Sequence, residues 1–589
     1  MPRPVRSALR LGTFEQRRVL VLPGVSELPP ETGPVHSCSS EPPPAWPPWS
    51  EWAQSGAARL LCSLGADRLL VLFCNRLLVV DRRGKEAPLL EGVPAPVRDV
   101  TAGCVAPDGT IWLASRRGAV ALRNGRWLYF GARRYLADND VREIVCAGDG
   151  ATWVVTASGV ARLEFVAMSL AEKAAVFEER LRARHCRHGY VTSCLLERPG
   201  DVASFVYEAS DNDGLWTAIY VAAESFRYAA TGSEEARRFA SESLRAMLDL
   251  ERRTPIPGFP ARALVRKGER VIKSGGEWHD TADGEWEWKG DTSSDELDGH
   301  FFAYGIYYDL VADEREKTEI AEVVGRIADH LVEHGLQLVD LDGEHTRWGV
   351  FDPEHLHGSW REECGLNSLE ILAGLRVAHH VCGGSKYLEA YRELVAEHGY
   401  DLNLQGQKLL PPDDVNHSDD ELAFLAYYSL LSHEDDPELR RLYLLSLERS
   451  WRIERPERCP LWNFIYGALS GNECDTEAAV ATLAEIPLDQ IDWSVRNSHR
   501  DDIRLAPGSG RHGELEATEP LPADERPLGK WNSNPYRLDS SGEGRSEDDG
   551  AYFLLPYWMG RYYGFIEEPS GSPPMGPPTN GREAHAERP

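Results

Sequence analysis

Two patterns of apolar and polar positions alternate through the last two-thirds of the chain. Six segments open on a polar or acidic cluster and then run nearly uncharged for three or four turns: DNDGLWTAIYVAAESF from Asp211, SSDELDGHFFAYGIYY from Ser293, REECGLNSLEILAGL from Arg361, HSDDELAFLAYYSLL from His417, PLWNFIYGALSG from Pro460 and SEDDGAYFLLPYWMG from Ser546. A helix that is apolar around most of its circumference is buried on most sides. Between them EEARRFASESLRAMLDLERR, EREKTEIAEVVGRIADHLVEH, SKYLEAYRELVAEH and PELRRLYLLSLERSW put charges on one face and apolar residues on the other, the pattern of helices with one solvated side. With AEKAAVFEERLRARH near 170–185 and TEAAVATLAEI near 476–486, six outer helices pair with six inner ones.

Before residue 167 the pattern shortens. VRDVTAGCVAPDGTIWLASRRGAVAL from Val97 and VREIVCAGDGATWVVTASGVARL from Val141 align at an offset of 41 to 44 residues, matching Asp108-Gly109 with Asp149-Gly150 and Trp112 with Trp153. DRLLVLFCNRLLVVD from Asp67 is a weaker third copy. Strands broken by Asp-Gly turns at a period in the low forties predict propeller blades, although three copies fall short of a closed ring. The expected organisation is an irregular Pro-rich segment over 1–55, propeller-like repeats of about three blades over 56–166, helices over 167–566 and a tail of disordered composition over 567–589. Residues 255–291 and 490–547 are insertions too long for passive connectors and are candidate rims or lids.

The six-on-six arrangement resembles the (α/α)6 toroid of carbohydrate-active enzymes such as inverting glycosidases and polysaccharide lyases. The repeats resemble the two-component-regulator type of propeller blade. These resemblances imply a mostly α C-terminal (α/α)6 toroid preceded by a small all-β region, with catalytic groups at the mouth where the inner helices begin. They also imply a poly- or oligosaccharide as substrate.

Charge narrows the partners. Lys plus Arg is 64 against 94 Asp plus Glu, a net charge of −30, which repels nucleic acid and anionic membrane surfaces. No uncharged run is long enough to span a bilayer and no apolar h-region precedes Glu15, so a cytoplasmic location is expected. The 11 cysteines lack CxxC spacing, as expected of reduced thiols. No cofactor motif appears, since GxxxxGK[ST], GxSxG and strand-to-helix GxGxxG are all missing. Neither His185 and His188 around Cys186 nor the His345, His355, His357 group has zinc-motif spacing, so no metal is expected.

The candidate chemistry lies at the starts of the inner helices. Asp211 with Asp213, Asp295 with Glu296 and Asp298, and Asp419 with Asp420 and Glu421 are more acids than helix starts require. Ser293-x-x-Glu296, Ser418-x-x-Glu421 and Ser546-x-x-Asp549 fit or nearly fit capping boxes, which is the competing structural reading. Converging carboxylates raise at least one pKa, as a general acid requires. Asp213, Asp295, Glu296, Asp420 and Glu421 are therefore the candidate acids and bases of a glycoside hydrolase. Glu296, His300 and Tyr304 share one helical stripe, as do Asp213, Trp216 and Tyr220. Trp348, Trp360, Trp462 with Asn463, and Trp531 with Asn532 combine an aromatic face with polar donors, as sugar subsites do. A lyase acting on a uronic acid would instead use Asn497, His499 and Arg500 with His417 and Tyr552. A third reading is a sensor that binds a ligand without catalysis.

Overall fold

The computed structural model describes residues 9–10, 12–25, 28, 35–36, 58–64, 67–73, 76–83, 85–90, 93–407 and 416–567. Of the irregular Pro-rich segment expected over 1–55, residues 9–10, 12–25, 28 and 35–36 are described, and Phe14–Pro23 is a ten-residue strand, which corrects that expectation there; of the tail expected over 567–589 only Glu567 is among the described residues. Within them stand twelve helices of ten or more residues: α1 Leu170–Arg184, α2 Asp213–Thr231, α3 Glu234–Arg252, α4 Ser294–Leu310, α5 Glu314–Glu333, α6 Cys364–Cys382, α7 Ser385–Ala396, α8 His417–His433, α9 Pro437–Glu454, α10 Pro460–Ser470, α11 Thr476–Glu485 and α12 Ala551–Tyr563.

Four of the six outer helices, α1, α3, α5 and α9, start on side-chain caps. Ser169 with Glu172 opens α1 and Asp313 with Glu316 opens α5, each as a reciprocal capping box, which satisfies two orphan amides at once. The apolar helices pack side by side: α2 on α4, α4 on α6, α6 on α8, α8 on α10, α10 on α12 and α12 back on α2. Outside them α1 packs on α12, α3 on α2, α5 and α7 on α6, α9 on α8 and α10, and α11 on α10. A single apolar core joins all twelve, with Tyr220, Tyr304, Tyr427 and Tyr557 fully enclosed. The crossing of α2 and α4 depends on glycine, because a Cβ at Gly299 would lie 2.7 Å from the Leu215 Cα, closer than real Cβ atoms approach.

Three antiparallel sheets precede the helices. Ala58–Ser63, Arg68–Phe73, Arg76–Asp81 and Glu86–Pro88 form the first, and Val100–Val105, Ile111–Ser115, Gly118–Arg123 and Arg126–Phe130 the second. In the third, Val141–Ala147, Thr152–Thr156 and Gly159–Met168 are joined by Phe14–Pro23, which pairs along the whole length of Gly159–Met168. Trp112 lies opposite Cys104 and Trp153 opposite Val145, in matching registers of the second and third sheets. Asp108 and Asp149 accept the Thr110 and Ala151 amides at 2.9 and 3.0 Å in the matching turns.

The fold class read from the sequence is corrected. The chain is 41% helix and 24% strand, its strands fall into several separate small sheets, residues 14–210 are rich in strand, and no propeller closes among the described residues. A mostly α toroid with a small β region is thus not what is found. The difference comes largely from stretches read as loops. Residues 255–291 hold a three-stranded sheet, Leu264–Arg266, Trp286–Lys289 and Trp278–Asp280. A five-stranded sheet gathers Val271–Lys273, Phe205–Ala209, Cys194–Leu196, Glu543–Glu547 and Ile491–Trp493 from distant parts of the chain. Strands of three to five residues contain too few alternations to register as a period.

Cys104 and Cys146 form a disulfide between the second and third sheets, which corrects the expectation of thiols reduced throughout. Among the described residues no helix is long and apolar enough to cross a membrane.

Candidate active site

The first turns of α2, α4 and α8 and the approach to α12 meet at one end of the packed apolar helices, and their acids do not behave as caps. Ser293 makes no side-chain cap bond; its hydroxyl lies 3.3 Å from Asn212 Oδ1 and accepts from Arg262 at 3.1 Å. The α8 N-cap is Asn416, which leaves Ser418 exposed and Glu421 inside the helix. Asp549 precedes the Gly550 N-cap and accepts the Ala551 amide at 2.7 Å. All three expected capping boxes are therefore absent, and the carboxylates are left to other partners.

Those partners are few, and neighbouring carboxylates add like charge. Glu296 is fully buried; one oxygen accepts weakly from the Leu215 amide at 3.5 Å, and the other has no hydrogen-bond partner. Burial drives its carboxyl well above the usual range, and the charges of Asp213 and Asp295 add to the shift. Asp298, two residues further along α4, is raised by burial and by Asp295 and Glu421, with one oxygen unpartnered. Glu421 is pushed up to about 8 by burial, with Lys530 opposing and Asp295 and Asp548 reinforcing. Asp419 rises to about 6 through burial and the nearby Asp420 and Asp295, against Asn416 and Arg511. Asp295 itself is half-buried, accepts Asn212 Nδ2 at 2.8 Å and is raised by burial.

Glu370 of α6 was not singled out from the sequence, and it is the most isolated of these acids. Both carboxylate oxygens are buried without a hydrogen-bond partner, and burial plus Asp298, Asp295, Asp419 and Glu363 lifts it far above an ordinary glutamate. Its signal was present as the one charge within LNSLEILAGL, since a lone carboxylate deep in an apolar helix needs a reason.

Cations offset part of this negative field: Arg262 beside Glu296 and Asp295, Arg511 beside Asp419, and Lys530. Lys530, from the 490–547 insertion, lies 2.9 Å from Asp549 Oδ2, 3.4 Å from Asp548 Oδ2 and 4.1 Å above the Trp216 ring. Burial disfavours its charge, but Asp548 and Asp549 outweigh that and keep it protonated. Asp549 is correspondingly held below the usual carboxylate range, against the pull of its own burial. Lys530 also lines a cavity of 680 Å³ with Asn416, His417, Arg511, Asn532 and Tyr536, a volume typical of ligand sites.

The remaining sequence candidates divide. His300 sits below Glu296, with Nε2 3.8 Å from its carboxylate and Nδ1 2.9 Å from the Tyr304 hydroxyl; burial lowers it to about 3, so it is neutral. Asp213 is buried, accepts the Ser210 amide and hydroxyl at 2.7 Å each and faces Arg187 at 3.4 Å. Burial raises it to about 6, yet these bonds make it a support for the start of α2. Asp420 is buried beside Asp419. His417 lines the cavity with Nε2 2.8 Å from Glu457. Trp348 is 41% exposed, 6.0 Å from the Trp360 ring, on a strand tied to Asp291 ahead of α4 by the Arg347 amide.

Several assignments made from the sequence are corrected. Trp462 is buried and stacks 4.5 Å from Phe424, and Asn463 is buried accepting Trp451 Nε1 at 2.8 Å. Trp531 and Tyr552 pack against one another in the same core, leaving neither ring open to a sugar. Arg500 is spent on Asp502 and Glu525, each at 2.8 Å, while His499 lies 3.4 Å from the Tyr129 hydroxyl and Asn497 donates to the Glu525 carbonyl. These residues fasten the insertion to the N-terminal sheets, where Arg17 also holds Asp524 and Glu525 at 2.8 Å. Trp-Asn and Asn-x-His-Arg motifs do not reveal from sequence whether their polar atoms face inward or out.

Three groups of donors lie close enough to share an ion: His185 with Cys194 and Glu547, Asp309 with His380 and His433, and His417 with Glu454 and Glu457. His188 pairs instead with Glu269 at 3.0 Å, and His355 with Asp352 at 2.9 Å. No protein-family model matches the chain, and no curated protein matches it.

Proposed function

We propose that the chain is a glycoside hydrolase whose proton-transfer groups are Glu421 and Asp295, acting on a neutral or weakly charged glycan. The observation that carries this reading is a set of carboxylic acids from different helices, without capping boxes and partly without partners, several of which burial drives well above the usual carboxylate range. Glu421, up at about 8, is protonated at pH 7 and so has a proton to give to a leaving glycosidic oxygen. Asp295, half-buried and held by Asn212, would take a proton from the attacking water. Lys530 keeps Asp549 ionised, and that fixed negative charge favours an oxocarbenium-like transition state.

Aromatic faces are available for the sugar rings. Trp216 lies inside the cluster, and the Trp348–Trp360 pair lies toward the α4 and α6 starts; such rings cover the C–H faces of pyranoses while side chains of the cavity, Asn532 among them, bind hydroxyls. Elimination from a uronic acid is disfavoured. The cationic and imidazole groups it needs, Arg500 and His499, are engaged at the N-terminal sheets, and a bare acid cluster repels a uronate.

The test is incubation of the purified full chain with a panel of neutral and uronic oligo- and polysaccharides. New reducing ends without unsaturated products support hydrolysis. Unsaturated products would replace it with elimination, and binding without cleavage would favour a sensor.

A further inference from the structure

One buried trio of donors has no part in the proposed reaction. His185 caps the end of α1, Cys194 begins the strand Cys194–Leu196, and Glu547 ends the strand Glu543–Glu547. The two strands are antiparallel with Cys194 directly opposite Glu547, so both side chains leave the sheet on the same face. All three residues are at most 3% exposed. Glu547 Oε2 lies 3.4 Å from His185 Nε2 and 3.8 Å from Cys194 Sγ.

The histidine presents its other ring nitrogen to the two remaining donors. Its Nδ1 lies 3.1 Å from the Thr192 carbonyl oxygen, which only accepts, so Nδ1 carries a proton and donates it there. Nε2 is thereby turned toward the Glu547 carboxylate, fully buried and without a hydrogen-bond partner.

We infer that His185 Nε2, Cys194 Sγ and Glu547 Oε2 bind a divalent ion of the zinc class. Zinc bonds of about 2.0–2.1 Å to nitrogen and oxygen and 2.3 Å to sulfur give tetrahedral edges of about 3.3 Å between N and O and 3.5 Å between S and O. The observed 3.4 and 3.8 Å lie within a few tenths of an ångström of these edges, and the third pair, His185 Nε2 and Cys194 Sγ, is within 4.8 Å. The outer shell is also in place: the Thr192 carbonyl fixes the imidazole, and Arg184 grips the Glu547 carboxylate through two N–H donors at 2.8 and 2.7 Å, as supports of metal ligands do. Binding displaces the thiol proton to solvent and leaves the thiolate on the ion. Asp548 and Asp549 directly follow Glu547, so the ion would anchor the chain at its entry to the carboxylate cluster.

The test is elemental analysis of the full-length protein grown with zinc and dialysed into metal-free buffer, alongside protein grown or refolded with cobalt. About one zinc per chain is expected, with a thiolate-to-cobalt charge-transfer band in the cobalt form. Cys194→Ser should lose that band and at least tenfold in metal affinity. Because a substitution in this trio can impair folding, the wild-type protein decides: no retained zinc together with no cobalt–thiolate band would overturn the inference and leave the trio an Arg-Glu-His ion pair. Full zinc retention in folded Cys194→Ser would overturn it as well.

Discussion

Lys530 and Trp216 touch face to cation: the ammonium lies 4.1 Å above the indole while it also binds Asp549 at 2.9 Å. The insertion carrying Lys530 thus reaches the helical core at the centre of its acids. Lys530→Met should leave Asp549 buried without its counter-charge, at a cost of about 3–5 kcal/mol. Urea denaturation measures this, and a loss below about 1 kcal/mol would mean that Asp549 finds another partner.

Glu421 links the cluster to pH. Its folded pKa, about 8, lies above that of an unfolded glutamate near 4.3, so the folded state holds the extra proton across that window. The stability this provides is complete below the unfolded value and is lost as pH rises through about 8. Glu421→Gln should therefore flatten the decline in stability between about pH 4.5 and 8 by up to one proton's slope. Melting curves across that range check it, and parallel profiles would contradict the assignment.

Caps distinguish the two kinds of helix start. Ser169→Ala breaks an intact box at α1 and should cost about 1 kcal/mol. Ser418→Ala removes an exposed side chain that caps nothing and should stay within about 0.5 kcal/mol. Equal losses at both sites would restore the capping reading for Glu421.

Gly214 gives Glu296 its space, since a Cβ there would collide with the Glu296 carboxylate. Gly214→Ala should cost about 1–3 kcal/mol through forced repacking, despite the usual helix preference for alanine. A stabilised variant would show that α2 and α4 separate freely.

The helices were legible in the sequence because their apolar periods run for many residues, and the polar openings of the inner helices did mark one end of the packing. The sheets of the insertions were not, because strands such as Leu264–Arg266 and Ile491–Trp493 are three residues long. Asp295, Glu296 and Glu421 were singled out as candidates through an excess of acids over what caps need. Glu370 was missed because it stands alone in its helix, and Trp462, Trp531 and Arg500 were misread because composition does not say which way a side chain faces. The Cys194–Glu547 pairing joins residues 353 apart in sequence, beyond the reach of any local spacing rule.

The most direct measurement is the release of reducing ends from a cleaved neutral glycan by wild type, Glu421→Gln and Asp295→Asn, each checked for unchanged melting. Proton transfer by these groups predicts kcat lower by about 10²–10⁴ in each variant with folding intact. Wild-type turnover in both variants, or no cleavage of any glycan by the wild-type protein, would contradict it.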